Sequence, residues 1–102
     1  MKLLVEESEF IYCDVHDILR YLRRCNPGAA VRFLEAFKST VDLLSGMPHL
    51  GRLRPDLGVP QLRSWRVSAF RNYLVFYEVL PNRIRLLRVL HGSLDLQAAF
   101  KA

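Results

Sequence analysis

Only two cysteines, Cys13 and Cys25, occur in the 102 residues. That excludes a disulfide-stapled scaffold, and their spacing matches no zinc-binding pattern. Both fall inside or at the end of a helix-like segment. At 1.5 Å per residue, a straight helix would hold them about 18 Å apart, too far for a disulfide. They read as two reduced structural thiols. Long apolar runs are also missing, since none approaches the roughly 20 residues of a membrane span. Met1 to Glu9 lacks the basic start and apolar stretch of a signal peptide, which predicts a cytoplasmic protein. His16 and His49 have no acidic or histidine partner at ligand spacing. Neither a metal nor another cofactor is expected. Lysine is nearly absent from the second half, where Lys101 stands alone.

What is present is an ordinary globular balance, with 51% hydrophobic and 25% charged residues, enough for one modest core. Residues 1–102 read as a single domain. The charge is uneven. Residues 1–50 carry six Lys/Arg against seven Asp/Glu, a net of −1, and residues 51–102 carry nine against three, a net of +6. The basic residues of the second half are arginines apart from Lys101. The guanidinium fork suits phosphate or carboxylate, so this half predicts an anionic partner: RNA, DNA or an acidic protein segment.

Patterning predicts the elements. Leu3-Leu4-Val5 is compatible with a strand. Ser8 stands at a helix N-cap position, and Ile11, Val15, Ile18, Leu19 and Leu22 follow at helical spacing over residues 9–25. Asn26-Pro27 ends that helix and starts a second, whose stripe is Ala30, Phe33, Leu34, Phe37, Val41 and Leu44. That helix ends near Ser45-Gly46, before Pro48. Gly51, Pro55, Gly58 and Pro60 make residues 49–61 a loop with at most a short extended piece. Strands are expected at Leu62–Val67, Tyr73–Val79 and Ile84–Leu90, the middle one buried on both faces. Leu94 to Ala102 predicts a short helix or tail. The fold class is α+β: an N-terminal strand, a helical hairpin, then a three-to-four-stranded antiparallel sheet.

Five segments together resemble one family. They are Ser8-x-x-Ile11-x-x-Asp14-Val15-x-x-Ile18-x-x-Tyr21-Leu22, Asn26-Pro27-x-Ala29-Ala30-x-x-Phe33, and Leu44-x-x-Met47-Pro48-x-Leu50-Gly51-x-x-Arg54. Leu62-Arg63-Ser64-Trp65-Arg66-Val67-x-x-Phe70-Arg71-Asn72-Tyr73-Leu74-Val75-Phe76-Tyr77 and Ile84-x-Leu86-Leu87-Arg88-Val89-Leu90-His91-Gly92-x-x-Asp95-Leu96 complete the set. In order and spacing they resemble toxins of the RelE/ParE superfamily. The last segment is closest to the ParE-like branch, although Leu94 stands where such chains usually carry arginine. The resemblance implies the RelE/ParE-like microbial ribonuclease-type fold and the toxin role in a type II toxin–antitoxin system. It also implies growth inhibition, plasmid stabilisation and a cognate antitoxin as partner.

The resemblance leaves the target open. ParE-like members poison DNA gyrase, whereas RelE-like members cleave mRNA on the translating ribosome. An inactive member acting only as a binding partner is a third reading. A nuclease would draw on His91 as acid or base, with Arg71 and Arg88 on the phosphate. A binding toxin would engage target or antitoxin through Arg63, Trp65, Arg66, Arg71, Arg88 and Asp95. Strand alternation places Arg88 and Leu90 on one face, with Leu87, Val89 and His91 on the other. The missing lysine cluster favours binding over cutting, because arginine stays protonated and is a poor proton donor.

Overall fold

The two helices form where apolar spacing and capping place them. The computed structural model describes residues 2–101. Strand β1 (Leu4–Glu7) leads into α1 (Glu9–Cys25) and α2 (Pro27–Gly46). On α1 the buried residues are Ile11, Asp14, Ile18 and Leu22, one stripe at three- and four-residue steps. Asn26 serves both helices. Its N–H donates to Leu22 O at the end of α1, and its Oδ1 accepts from the Gly28 and Ala29 amides at the start of α2. Ser8 precedes α1 as expected, but its hydroxyl donates to Leu87 O at 2.8 Å instead of capping the helix.

The second half forms β2 (Arg52–Leu53), a short 3-10 turn (Pro55–Leu57), β3 (Leu62–Val67), β4 (Phe70–Val79), β5 (Arg83–His91) and the one-turn α3 (Leu96–Ala99). The sheet has five strands in the order β1-β5-β4-β3-β2. Two features depart from the expected antiparallel sheet of three to four strands. β1 joins it parallel to β5, with Leu4 opposite Arg83 and Glu7 opposite Leu86. β2 is a two-residue edge strand inside the breaker-rich loop. The nearly all-apolar β4 is central, as its composition predicts.

The helical hairpin covers one face of the sheet. Phe33, Leu44, Val67, Val75, Tyr77, Ile84, Leu86 and Val89 form the core there, each essentially fully buried. Burying a side chain of the size of Phe33 contributes about 2–3 kcal/mol. Tyr77 ties this core to the loop after α2: its hydroxyl donates to Pro48 O at 2.7 Å and accepts from the Gly51 amide at 2.9 Å. A Cβ on Gly51 would lie 2.6 Å from that hydroxyl, so the close approach requires glycine. The opposite face is covered by the chain itself. Leu62, Phe76 and Leu90 meet Leu57 from the 3-10 turn and, from the tail, Leu96, Ala99 and Phe100.

A bulge corrects one expected facing. Tyr77 pairs with Leu86, but its neighbour Phe76 pairs with Arg88, which leaves Leu87 as the extra residue. Leu87 therefore packs on the tail-covered face, not with Val89 and His91 beneath the helices. Cys13 and Cys25 are free, as expected, but both are exposed and neither is a structural core thiol.

Candidate functional site

β1 ends opposite Leu86, so further along β5 its outer side is met by α1 instead of a strand. Asp14 reaches across from the buried stripe of α1. Its Oδ2 accepts the Val89 amide at 3.1 Å, and its carboxylate receives a bidentate fork from Arg88, at 2.7 and 2.9 Å. The Arg88 guanidinium also lies 5.5 Å from the Phe10 ring centroid. Hydrogen bonding to Asp14 holds Arg88 above the usual arginine range despite the opposing effect of burial. Arg88 therefore keeps its charge, and that charge is already compensated within the chain.

Beside this pair an open cleft of about 440 Å³ is lined by Asp17, Tyr21, Tyr73, Arg88, His91 and Leu94, among others. His91 and Arg88 meet here although the strand points them oppositely, because Arg88 extends to α1. Arg71 does not line the cleft. His91 packs edge-on to Tyr73, with ring centroids 5.0 Å apart, and Tyr73 in turn packs on Phe33. The Ser93 amide donates to His91 Nδ1 at 3.1 Å, and the Ser93 hydroxyl lies 2.7 Å from the same atom. A backbone N–H can only donate, so Nδ1 is the acceptor and the neutral ring carries its proton on Nε2. Burial pushes the Tyr73 hydroxyl up, so it remains protonated at neutral pH. In this geometry the one lone pair of the neutral His91 ring is engaged by Ser93, and the protonated Tyr73 hydroxyl is a weak base.

The other expected site residues divide sharply. Arg63 is pinned within the fold, donating to Gly51 O at 2.6 Å and to His49 O at 3.4 Å. Trp65 is half-buried against the main core, with the Arg66 guanidinium 4.5 Å over its ring. Arg66 and Arg71 are exposed. Asp95 caps α3 by accepting the Ala98 amide at 3.1 Å. His16 and His49 are on the surface, as expected.

Two residues with structural weight were named in the resembling segments but given no role. Asp14 had a signal, since it follows Ile11 by three residues and precedes Ile18 by four, on the apolar stripe itself. Arg54 ends its segment in the loop, yet it is buried, forks onto Asp56 and donates to Ser64 Oγ at 3.1 Å. Its guanidinium sits 5.8 Å over the Phe76 ring. Among the described residues no group of three His, Cys, Asp or Glu gathers as a metal site, and no helix is long and apolar enough to cross a membrane.

A second concave surface lies on the helical side. A groove of about 440 Å³ runs between α1, α2 and β1, lined chiefly by Ile11, Tyr12, Val15, Leu34, Phe37 and Val41. Leu4 and Val5 of the edge strand are exposed beside it.

Residues 13–96 match the family described as the ParE toxin of the type II toxin–antitoxin system parDE. The chain belongs to the ParE toxin family. A solved structure, described as the chromosomal ParDE TA system from P. aeruginosa, shares the fold with a TM-score of 0.73 at 18% sequence identity. The alignment covers 88% of this chain and 96% of that one. No curated protein matches the chain. This ParE-family member thus places its β5 histidine against a serine and its β5 arginine against an aspartate, with the end of the sheet left open between them.

Proposed function

We propose that this chain is a toxin that halts growth by poisoning DNA gyrase, trapping the enzyme on cleaved DNA, and that a cognate antitoxin neutralises it. The observation that carries the reading is the state of the would-be catalytic pair. His91 Nδ1 accepts the Ser93 amide, and Arg88 is committed to Asp14. The remaining cations, Arg66 and Arg71 among them, suit binding, not proton transfer. Arg66, Arg71 and the half-buried Trp65 are the contacts assigned to the target. Arg63, Arg88 and Asp95 hold the surface in shape. Gyrase as target places the protein in the cytoplasm.

The antitoxin's docking place is the apolar groove of α1, α2 and β1. An amphipathic helix fits such a groove, and an added strand can pair with the free edge of β1. Arg20 and Lys38 on the exposed helix surfaces suit an acidic segment.

Expression without antitoxin should produce filamentous cells with gyrase-dependent DNA breaks and intact mRNA. The ribonuclease reading draws on one observation, that His91, Tyr73 and Arg88 share a cleft. It requires transcripts cut on translating ribosomes, and a His91→Ala/Arg71→Ala variant that no longer cuts. Transcript cleavage with undamaged DNA would overturn the gyrase reading, and unimpaired growth would leave only a binding partner.

A further inference from the structure

Three long stretches of the chain lack carboxylates; the arginines of one, residues 79–94, pair with Glu6, Glu78 and Asp14 from outside it, and the other two differ. Residues 18–34 contain Arg20, Arg23, Arg24 and Arg32 and no Asp or Glu. Residues 57–77 contain Arg63, Arg66 and Arg71 and again none. Far apart in sequence, these segments meet in the fold. Phe33, the residue after Arg32, packs edge-on against Phe70, the residue before Arg71, with ring centroids 5.3 Å apart. Phe33 also touches Tyr73, whose strand partner is His91. The close of α1, the start of α2, the β3–β4 turn and the end of β5 therefore lie together at one end of the molecule.

We infer that this end, whose arginines Arg23, Arg24, Arg32, Arg66 and Arg71 are not ion-paired although Asp17 lines the neighbouring cleft, binds the phosphate backbone of duplex DNA directly. All five arginines are exposed. Among the described residues none has a carboxylate within ion-pair distance, whereas Arg54, Arg83, Arg85 and Arg88 each do. An arginine without an internal partner keeps its full attraction for an external anion. The cations come from two helix ends and a hairpin turn, so they form a field and not a single anion pocket. Such a field suits a duplex, which presents one charge about every 1.7 Å along its axis. The face of Trp65 is occupied by Arg66, which removes that ring as the open stacking platform single-stranded binding relies on.

This deepens the gyrase reading by giving the toxin a grip on the DNA that gyrase holds. It rests on charge and placement alone, and its test contains no gyrase, so either claim can fail while the other stands. Binding of the full chain to a fluorescent 30-base-pair duplex, roughly three helical turns, is followed by anisotropy between about 50 and 200 mM salt. An Arg23→Gln/Arg24→Gln/Arg71→Gln variant is compared with Lys2→Gln/Arg52→Gln/Lys101→Gln, which removes the same charge elsewhere. The first variant should weaken binding more than about tenfold and flatten the log–log salt slope by about 2–3, at about 0.9 per lost phosphate contact. The second should weaken it less than about threefold. An Arg23→Lys/Arg24→Lys/Arg71→Lys variant should bind within about threefold of the parent, since phosphate contact needs the charge. Equal weakening by the two glutamine variants, or no duplex binding at about 50 mM salt, would overturn the inference. So would tighter binding to polyglutamate, to duplex RNA or to single-stranded DNA of the same length.

Discussion

Along the flank built from β1, β5 and the first half of α1, arginines are closed on carboxylates. Arg83 and Arg85 share Glu6, Arg85 also reaches Glu78, and Arg88 forks onto Asp14. At the end formed by the α1–α2 turn and the β3–β4 turn, the arginines have no such partners among the described residues. The residue type is the same in both places and its work differs. On the flank it fixes a parallel edge strand and a helix against the sheet. At the end it leaves positive charge facing outward. A sum of charges along the sequence does not separate these roles, because two of the carboxylates that cancel the second half's arginines, Glu6 and Asp14, lie in the first half.

The largest way to break this contrast is to remove the buried carboxylate. Asp14→Ala leaves Arg88 uncompensated and the Val89 amide without its acceptor. The cost should be about 3 kcal/mol in urea denaturation, at the low end for a buried pair because the Arg88 side chain remains 25% exposed. Asp14→Asn, which keeps an acceptor for Val89, should cost roughly half as much. A destabilisation below about 0.5 kcal/mol, the range of an ordinary surface change, would mean that the pair is ornamental.

The β3–β4 turn at the open end carries a smaller strain. Ala69 adopts φ 64°, a left-handed conformation that its Cβ disfavours. Ala69→Gly should stabilise the chain by about 0.5–1 kcal/mol, seen as a higher urea midpoint with unchanged slope. A lower midpoint would show that the methyl group contributes packing that outweighs the strain.

Acid should also act on the flank. Hydrogen bonds from Arg83, then Arg85, hold the Glu6 carboxyl below its ordinary 4.5. A lowered folded-state value means that its stabilisation is complete above pH 4.5 and is lost as pH falls through the folded value. The Tm difference between the parent and Glu6→Gln should therefore be constant near neutrality and shrink in acid. The Glu6 side chain is partly exposed, so the difference should be modest and should fall with salt. A gap that widened on acidification would contradict the assignment.

The smallest effect belongs to the open end. The Arg23→Gln/Arg24→Gln/Arg71→Gln variant should shift stability by no more than about 0.5 kcal/mol, because those side chains have no partner among the described residues to lose. A larger loss in thermal or urea unfolding would show that they brace the fold.

Local chemistry made much of this legible. Asn26-Pro27 marks the joint between the helices to the residue, and the apolar run of β4 marks the centre of the sheet. Long-range pairing did not show. β1 is short and gains its place only by meeting β5 from the other end of the chain. The bulge at Leu87 arises from the register between β4 and β5, which strand alternation alone does not reveal. At the site, the sequence singled out His91, Arg88 and Asp95 but not what holds the first two. Ser93 adjoins His91, yet which ring nitrogen it engages depends on the backbone turn after β5. Asp14 stands in a resembling segment and on the apolar stripe, but its partners Arg88 and Val89 show only once α1 lies against the open side of β5.

The central claim is that a ParE-family chain with its β5 histidine and arginine internally committed acts by binding, its unpaired arginines gripping the DNA that gyrase holds. Its most direct test is plasmid cleavage by purified gyrase, with the parent toxin, the Arg23→Gln/Arg24→Gln/Arg71→Gln variant and the Lys2→Gln/Arg52→Gln/Lys101→Gln control. Linear plasmid should accumulate with the parent and the control, and fall about tenfold or more with the first variant. Plasmid left uncut by gyrase in the presence of the parent toxin, with transcripts severed on translating ribosomes in a parallel reaction, would contradict it.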